Sequence, residues 1–288
     1  MNVRGQLIES NLPPLRGLPV AALSAPDLPT ALAKSSGEHA FQESLSRHTE
    51  YLPHLANTHH GVWFDWILYK LRLPSGNEVD FAYVETTSVL TTVVLIEIED
   101  PEKSMWVGPL HKPAKSAEFN RAIEQVTRWR TDLRDPQNLL LLRKDVLTLL
   151  GNSPLTQNPI DVQYGLIYGR STENNSLERK AAYADLQQTL GIHLMTYDNL
   201  VTRHQNTPGR VKNVVRLTYP GPIFSYAYLN APPRSEFAFL SPGRLILDAD
   251  SREVILSLGY DINAWEKGEL LIVNHKYPAS SLFGKVIP

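Results

Sequence analysis

The stretch Thr91–Pro101, TTVVLIEIEDP, restricts the possible folds more than any other part of this chain. It opens as a buried strand does, with two threonines and then Val93, Val94, Leu95 and Ile96. Glu97 and Glu99 follow, two residues apart. Side chains alternate along a strand, so both carboxylates face one side while Ile96 and Ile98 face the other. A carboxylate buried without a partner costs several kcal/mol, and two neighbours also repel. Two readings therefore stand. Either a cation, a metal ion or an Arg/Lys side chain, sits against the pair, or the strand end reaches water and the acids are solvated.

The residues just before this strand add a third acid. VWFDWILYKLRL (62–73) is rich in aromatic and branched side chains and reads as a strand, and Pro74-Ser75-Gly76-Asn77 is a strong turn signal. EVDFAYVET (78–86) alternates Val79, Phe81 and Tyr83 with Asp80, Ala82 and Val84, and a short loop near Ser88 leads into the 91–98 strand. A hairpin folded about Ser88–Val89 places Asp80 opposite Glu97, and paired residues project to the same face of a sheet. Asp80, Glu97 and Glu99 then crowd one patch. A slip of one residue would turn Asp80 away.

Elsewhere the chain alternates helical and strand-like patterns. A helix is expected after Ser35-Ser36-Gly37, with Phe41, Leu45, His48 and Leu52 on one face. It carries Glu38 and Glu43; an acid in a first turn ordinarily serves the helix dipole. Residues 114–133 form an amphipathic pattern with Phe119, Ile123, Val126 and Leu133 as its stripe. A neighbouring face holds Arg121, Gln125, Arg128 and Trp129, and Glu124 with Arg128 makes an ordinary surface pair. A further helix is expected from Pro136 to about Leu150. Strand 162–170, helix 177–190 and strand 191–197 suggest a parallel crossover, with Asp198 capping the next short helix.

The first 35 residues, with Pro13, Pro14, Pro19, Pro26 and Pro29, read as an extended arm or linker. From about Pro208 the runs 214–219, 244–249, 253–258 and 269–274 alternate with Pro- and Gly-rich turns. They read as strands of a mostly β extension or small domain over 207–288. Residues 36–206 make the α/β core.

Composition removes several chemistries. The chain has no cysteine, which rules out disulfides, thiolate nucleophiles and Cys-ligated metal centres. Its formal net charge of −2 means that any nucleic acid must meet a local basic patch. No run approaches a membrane span, and prolines and Arg16 break up the first 23 residues, so a soluble cytoplasmic protein is expected. No Walker A loop, dinucleotide fingerprint, nucleophile elbow or HExxH is present. His59-His60 lack ligands at metal spacing, and His193 sits in an apolar run.

The order of elements is helix with Glu38, strand, strand with Asp80, strand with Glu97-x-Glu99, helix with Gln125, strand. It resembles the core of the PD-(D/E)xK nuclease superfamily, a mixed central sheet flanked by helices. Glu99 stands where that pattern usually has lysine, and Gln125-x-x-x-Trp129 is similar to the Gln-x-x-x-Tyr motif of the RecB-like branch. GEHAFQESLSRHTEYL (37–52), NEVDFAYV (77–84), VLIEIEDP (94–101), AIEQVTRW (122–129) and IYGR followed by HLMTYDNL (193–200) resemble the Shedu family (DUF4263) of antiphage nucleases. The resemblance covers roughly residues 37–206.

That resemblance implies a metal-dependent DNA endonuclease, with DNA as partner, a homo-oligomeric assembly and no membrane. Asp80 and Glu97, with the Ile98 carbonyl, would bind Mg²⁺ or Mn²⁺, a hard-ligand set suited to those ions. Glu99 would orient or deprotonate the attacking water or hold a second metal. Glu38, rather than Glu43, would support the site, and Gln125 would hold a water or backbone group at its rim. Arg121 and Arg128 would meet DNA phosphates, and Lys112 and Lys115 would supply the positive charge missing from position 99. The alternative is a catalytically silent relative that keeps the fold and binds nucleic acid or a partner. Alanine at position 80 or 97 is expected to leave the metal-free fold as stable as before, or more so.

Overall fold

In a computed structural model, residues 27–267 are described, apart from 35–36, 56–61, 64–65, 148–156, 219–222, 232, 234–236, 238–242 and 259. The proline-rich stretch before residue 27, His59-His60 and the 269–274 run lie outside the described residues.

The apolar run at 91–98 becomes β4 (Thr91–Ile98), buried along its whole length in the middle of a mixed sheet. On one side it pairs antiparallel with β3 (Glu78–Thr86), which pairs in turn with β2 (Trp66–Arg72). On the other side it pairs in parallel with β7 (Ile160–Ile167), which pairs with β8 (His193–Met195). A short β1 (Val62–Trp63) joins β3. The hairpin between β3 and β4 adopts the register read from the sequence, with Phe81 opposite Ile96 and Ala82 opposite Leu95.

Alternation along β4 divides the core into two layers. Val93 and Leu95 pack under α3 (Ala117–Asp132) and α4 (Pro136–Leu147), whose Phe119, Val126 and Val146 are fully buried. Val94, Ile96 and Ile98 face α1 (Leu28–Lys34), α2 (Gly37–Arg47) and α6 (Tyr197–Asn206), which contribute Leu28, Phe41, Leu45 and Leu200. The α3 N-terminus is fixed by Ser116, whose hydroxyl accepts from Phe119 N at 3.0 Å. The expected parallel step is present as β7, α5 (Leu177–Thr189) and β8.

One strand breaks its own alternation. In β2, Trp66 and Leu68 face the α3 layer, yet so do Leu71 and, just beyond the strand, Leu73. The switch falls at Lys70, which holds a left-handed φ of +53°. That conformation costs a non-glycine residue roughly 1–2 kcal/mol. Register pairs on both sides, Tyr69 with Phe81 and Leu71 with Val79, leave Lys70 facing Asp80 across the ladder.

Several sequence expectations change. Residues 28–34, assigned to an extended arm, form α1, with Leu28 and Ala31 buried in the core. The 253–258 run, read as a strand, instead forms the end of α7 (Ala249–Ser257) and its C-cap Leu258, because the Asp248 carboxylate caps Ser251 N at 2.7 Å and starts a helix there. Asp198 does not cap α6. Thr196 does, in a capping box with Asn199, and Asp198 pairs with Arg170 at 2.7 Å. The strands β9 (Asn213–Thr218), β10 (Ile223–Tyr228) and β11 (Leu245–Ile246) continue the central sheet, with β9 parallel to β2. A two-stranded ribbon of β5 (Trp106–Val107) and β6 (Ala114–Lys115) and a terminal helix α8 (Ile262–Glu266) complete the described fold. None of the described helices is long and apolar enough to cross a membrane.

Candidate active site

Asp80, Glu97 and Glu99 meet where β3 begins and β4 ends. Asp80 and Glu97 are 4% and 8% exposed, so the solvated reading of the strand end does not hold for Glu97. A cation does sit against the acids, and it is lysine twice over. Lys70 Nζ lies 2.5 Å from Asp80 Oδ1. Lys103 pairs with Glu99 and reaches Glu38 Oε2 at 3.2 Å.

Each carboxyl has its own surroundings. Asp80 accepts from Gln42 Nε2 of α2 at 3.0 Å and, through Oδ2, from Ile98 N at 2.9 Å. Burial raises its pKa, opposed by Lys70 and the Ile98 N–H. Glu97 Oε1 accepts from Gln125 Nε2 of α3 at 2.5 Å, while Glu97 Oε2 is buried without a hydrogen-bond partner among the described residues. Burial, followed by the charges of Asp80 and Glu99, pushes Glu97 well above the usual glutamate range. Glu99 is also raised by burial and held back by Lys103. For Lys103, burial disfavours the ammonium, but Glu99 and Glu38 outweigh it and raise its pKa. Buried Tyr197 fixes the chain beyond β4, its hydroxyl donating to Glu99 O at 2.6 Å.

The structure brings together Asp80, Glu97, Glu99, Glu38 and Gln125 as the sequence indicated, and leaves Glu43 exposed. Gln125 holds the Glu97 carboxylate itself rather than a water at the rim. Lys112 and Lys115 form no ion pair with these acids. Lys70 and Lys103 take that part because each lies within reach of a carboxylate along the backbone, across a ladder or one turn beyond the strand. Arg121 and Arg128 stand exposed on α3, away from the carboxyl cluster's hydrogen bonds.

Residues 35–201, more than half of the 288-residue chain, match the family described as Shedu protein SduA, C-terminal. The chain belongs to the Shedu family. No curated protein matches it. The Shedu match takes in all four acids, both lysines, Gln42 and Gln125, and it ends within α6, so β9–β11 lie beyond it.

Two of the site's lysine contacts, and Gln42, escaped the sequence reading, although the signals were there. Lys70 mirrors Asp80 about the turn at Pro74–Asn77, by the same symmetry that pairs Asp80 with Glu97. Lys103 follows Glu99 by four residues across an Asp-Pro turn, and Gln42 follows Glu38 by four on α2.

A divalent cation suits this Shedu site in charge and donor type. Four carboxyls (Glu38, Asp80, Glu97, Glu99) face two ammonium groups (Lys70, Lys103), and Glu97 Oε2 is an unpartnered buried oxygen. Oxygen donors are what Mg²⁺ and Mn²⁺ take. Among the described residues no three acids or histidines form a ready cage. Lys70 and Lys103 already hold Asp80 Oδ1 and Glu99 Oε2, so a metal on Asp80 would take the place of the Lys70 ammonium there.

Proposed function

We propose that this chain is a metal-dependent DNA endonuclease of antiphage defence, built on a PD-(D/E)xK-type core and acting as a homo-oligomer. The observation that carries the reading is the meeting of Asp80, Glu97 and Glu99 at one sheet end, with Glu97 Oε2 buried and unpaired. Asp80, Glu97 and the Ile98 carbonyl would hold Mg²⁺ or Mn²⁺. A divalent ion supplies charge neutralisation at a phosphoryl oxygen and a more acidic water.

The chain's own groups do the rest. Gln125 fixes the Glu97 carboxylate by donating to Oε1, and the Ile98 N–H and Gln42 fix that of Asp80. Glu99, raised by burial, accepts a proton from the attacking water. Lys103, one third exposed and bridging Glu99 and Glu38, stands ready to hand its hydrogen bonds to the scissile phosphate. The test is incubation of the purified chain with linear, nicked and supercoiled DNA in Mg²⁺, Mn²⁺ or EDTA. Cleavage with either metal and none in EDTA is expected.

One observation favours a second reading. The two ammonium groups already occupy Asp80 and Glu99, as they would in a silent relative that binds DNA without cutting it. Unaltered DNA under every metal condition, with binding intact, would select that reading.

DNA approaching the α3 side meets Arg121 and Arg128, both exposed. Replacing both with alanine should lower the slope of log K against log salt by about 1.8, roughly 0.9 for each lost phosphate contact. An unchanged slope would remove α3 from the DNA path.

A further inference from the structure

The helix that sends Glu38 and Gln42 to the acids ends on a different chemistry. At its last residue the Arg47 guanidinium lies over the Tyr228 ring, 4.1 Å from the centroid. Tyr228 is 6.5 Å from Tyr69, centroid to centroid. The Tyr69 ring in turn meets two more cations, Arg216 Cζ at 4.8 Å and Lys70 Nζ at 5.8 Å. The contacts run from Arg47 through Tyr228 to Tyr69, whose ring meets both Arg216 and Lys70, and Lys70 rests on Asp80. Strands β10, β9 and β2 carry this strip, on the sheet face covered by α2.

Lys70 is compensated by Asp80, but the two arginines of the strip are not. Among the described residues no carboxylate pairs with Arg47 or Arg216. Arg47 Nε is buried without an acceptor among the described residues, and Arg216 is exposed. The chain carries more acids than bases, 30 against 28, so two arginines without an acid on adjoining rings are not its average surface. Stacking alone would explain either arginine, at about 0.5–1 kcal/mol for an exposed cation on a ring. It does not explain why both are left without an acid on adjoining tyrosines that lead to the same site.

The spacing says what kind of anion fits. Both Arg216 and Lys70 flank one ring, which puts them within about 11 Å of each other, and Arg47 lies beyond the next ring. Cations spread over two adjoining rings, rather than gathered on one anion, suit a polyanion with several charges. Arginine is a usual partner of nucleic-acid phosphates, and here buried Tyr69 and half-buried Tyr228 hold the guanidinium groups in place.

We infer that Arg47 and Arg216, set by Tyr228 and Tyr69, form a phosphate-binding strip that leads a DNA strand into the acid site. The inference rests on the proposed nuclease reading. It also gives a role to β9 and β10, which lie beyond the Shedu match and bring Arg216 and Tyr228 to a site built by the rest of the chain.

The test measures duplex DNA binding by fluorescence anisotropy across a salt series, in EDTA so that nothing is cut, using the full chain. Arg47→Gln with Arg216→Gln should lower the slope of log K against log salt by about 1.8. Arg47→Lys with Arg216→Lys keeps both charges and should retain the slope, and the melting curves of both variants report whether they fold. A slope unchanged in the glutamine pair overturns the strip and leaves the nuclease proposal standing. Equal loss in the lysine pair, with a lowered melting temperature, also overturns it, since the arginines would then be packing residues. A wild-type chain with no salt-dependent DNA binding defeats the nuclease proposal and the strip with it.

Discussion

Asp80→Ala should destabilise the metal-free protein by about 3 kcal/mol as well as abolish cleavage. This reverses the sequence-based expectation that losing an acid would relieve repulsion. Asp80 accepts from Lys70, Gln42 and the Ile98 N–H, so the alanine variant strips three donors of their partner at a position only 4% exposed. Breaking a buried pair costs about 3–5 kcal/mol. The lower end applies, because a quarter of the Lys70 side chain reaches solvent. The left-handed backbone at Lys70 would also lose the ion pair that compensates it. Adding Lys70→Met should recover part of the loss in a double-mutant cycle of urea melts. Additive losses would mean that Lys70 and Asp80 do not depend on each other.

Glu97→Gln should do the opposite to stability and the same to cleavage. Its Oε1 keeps the bond from Gln125, while the charge on the unpartnered Oε2 disappears. The gain in metal-free stability at neutral pH should be about 1–3 kcal/mol, part of the several-kcal/mol penalty for burying an ion. It should appear as a higher melting temperature, at about 2–4 °C per kcal/mol for a domain of 150–250 residues. The pH dependence has a definite sign. A glutamate whose folded pKa is raised by burial binds its proton more tightly in the native state. Its stabilising effect is complete below the ordinary value of 4.5 and is lost as pH rises through the folded pKa. Wild-type stability in EDTA should therefore fall across that window, and the glutamine variant should fall less. Parallel pH curves for the two proteins would mean that Glu97 is not charged against its surroundings.

The contrast between these two acids shows where sequence reasoning reaches and where it stops. Local pattern placed them together: β4 is apolar until Glu97, and a hairpin about Ser88–Val89 has one register that buries both faces. The apolar stripe from Phe119 to Leu133 likewise marked out α3, and the structure turns Gln125 on its neighbouring face onto Glu97. What pattern could not supply was partnership. By alternation Lys70 would share the α3 face with Trp66 and Leu68, and the left-handed φ at Lys70 turns the strand where its ammonium meets Asp80. The short apolar run at 253–258 is ambiguous between helix and strand by length alone, and Asp248 decided it. Thr196 outcompeted Asp198 as the α6 cap because Arg170, 28 residues earlier, claims the aspartate with two nitrogens.

Isothermal titration of Mn²⁺ into the full chain tests the central claim, that the buried acids at the end of β4 are a metal site. Wild type should bind with a measurable heat, and Glu97→Gln, still folded by its melting curve, should not. Equal binding by both proteins, or none by wild type, would contradict it.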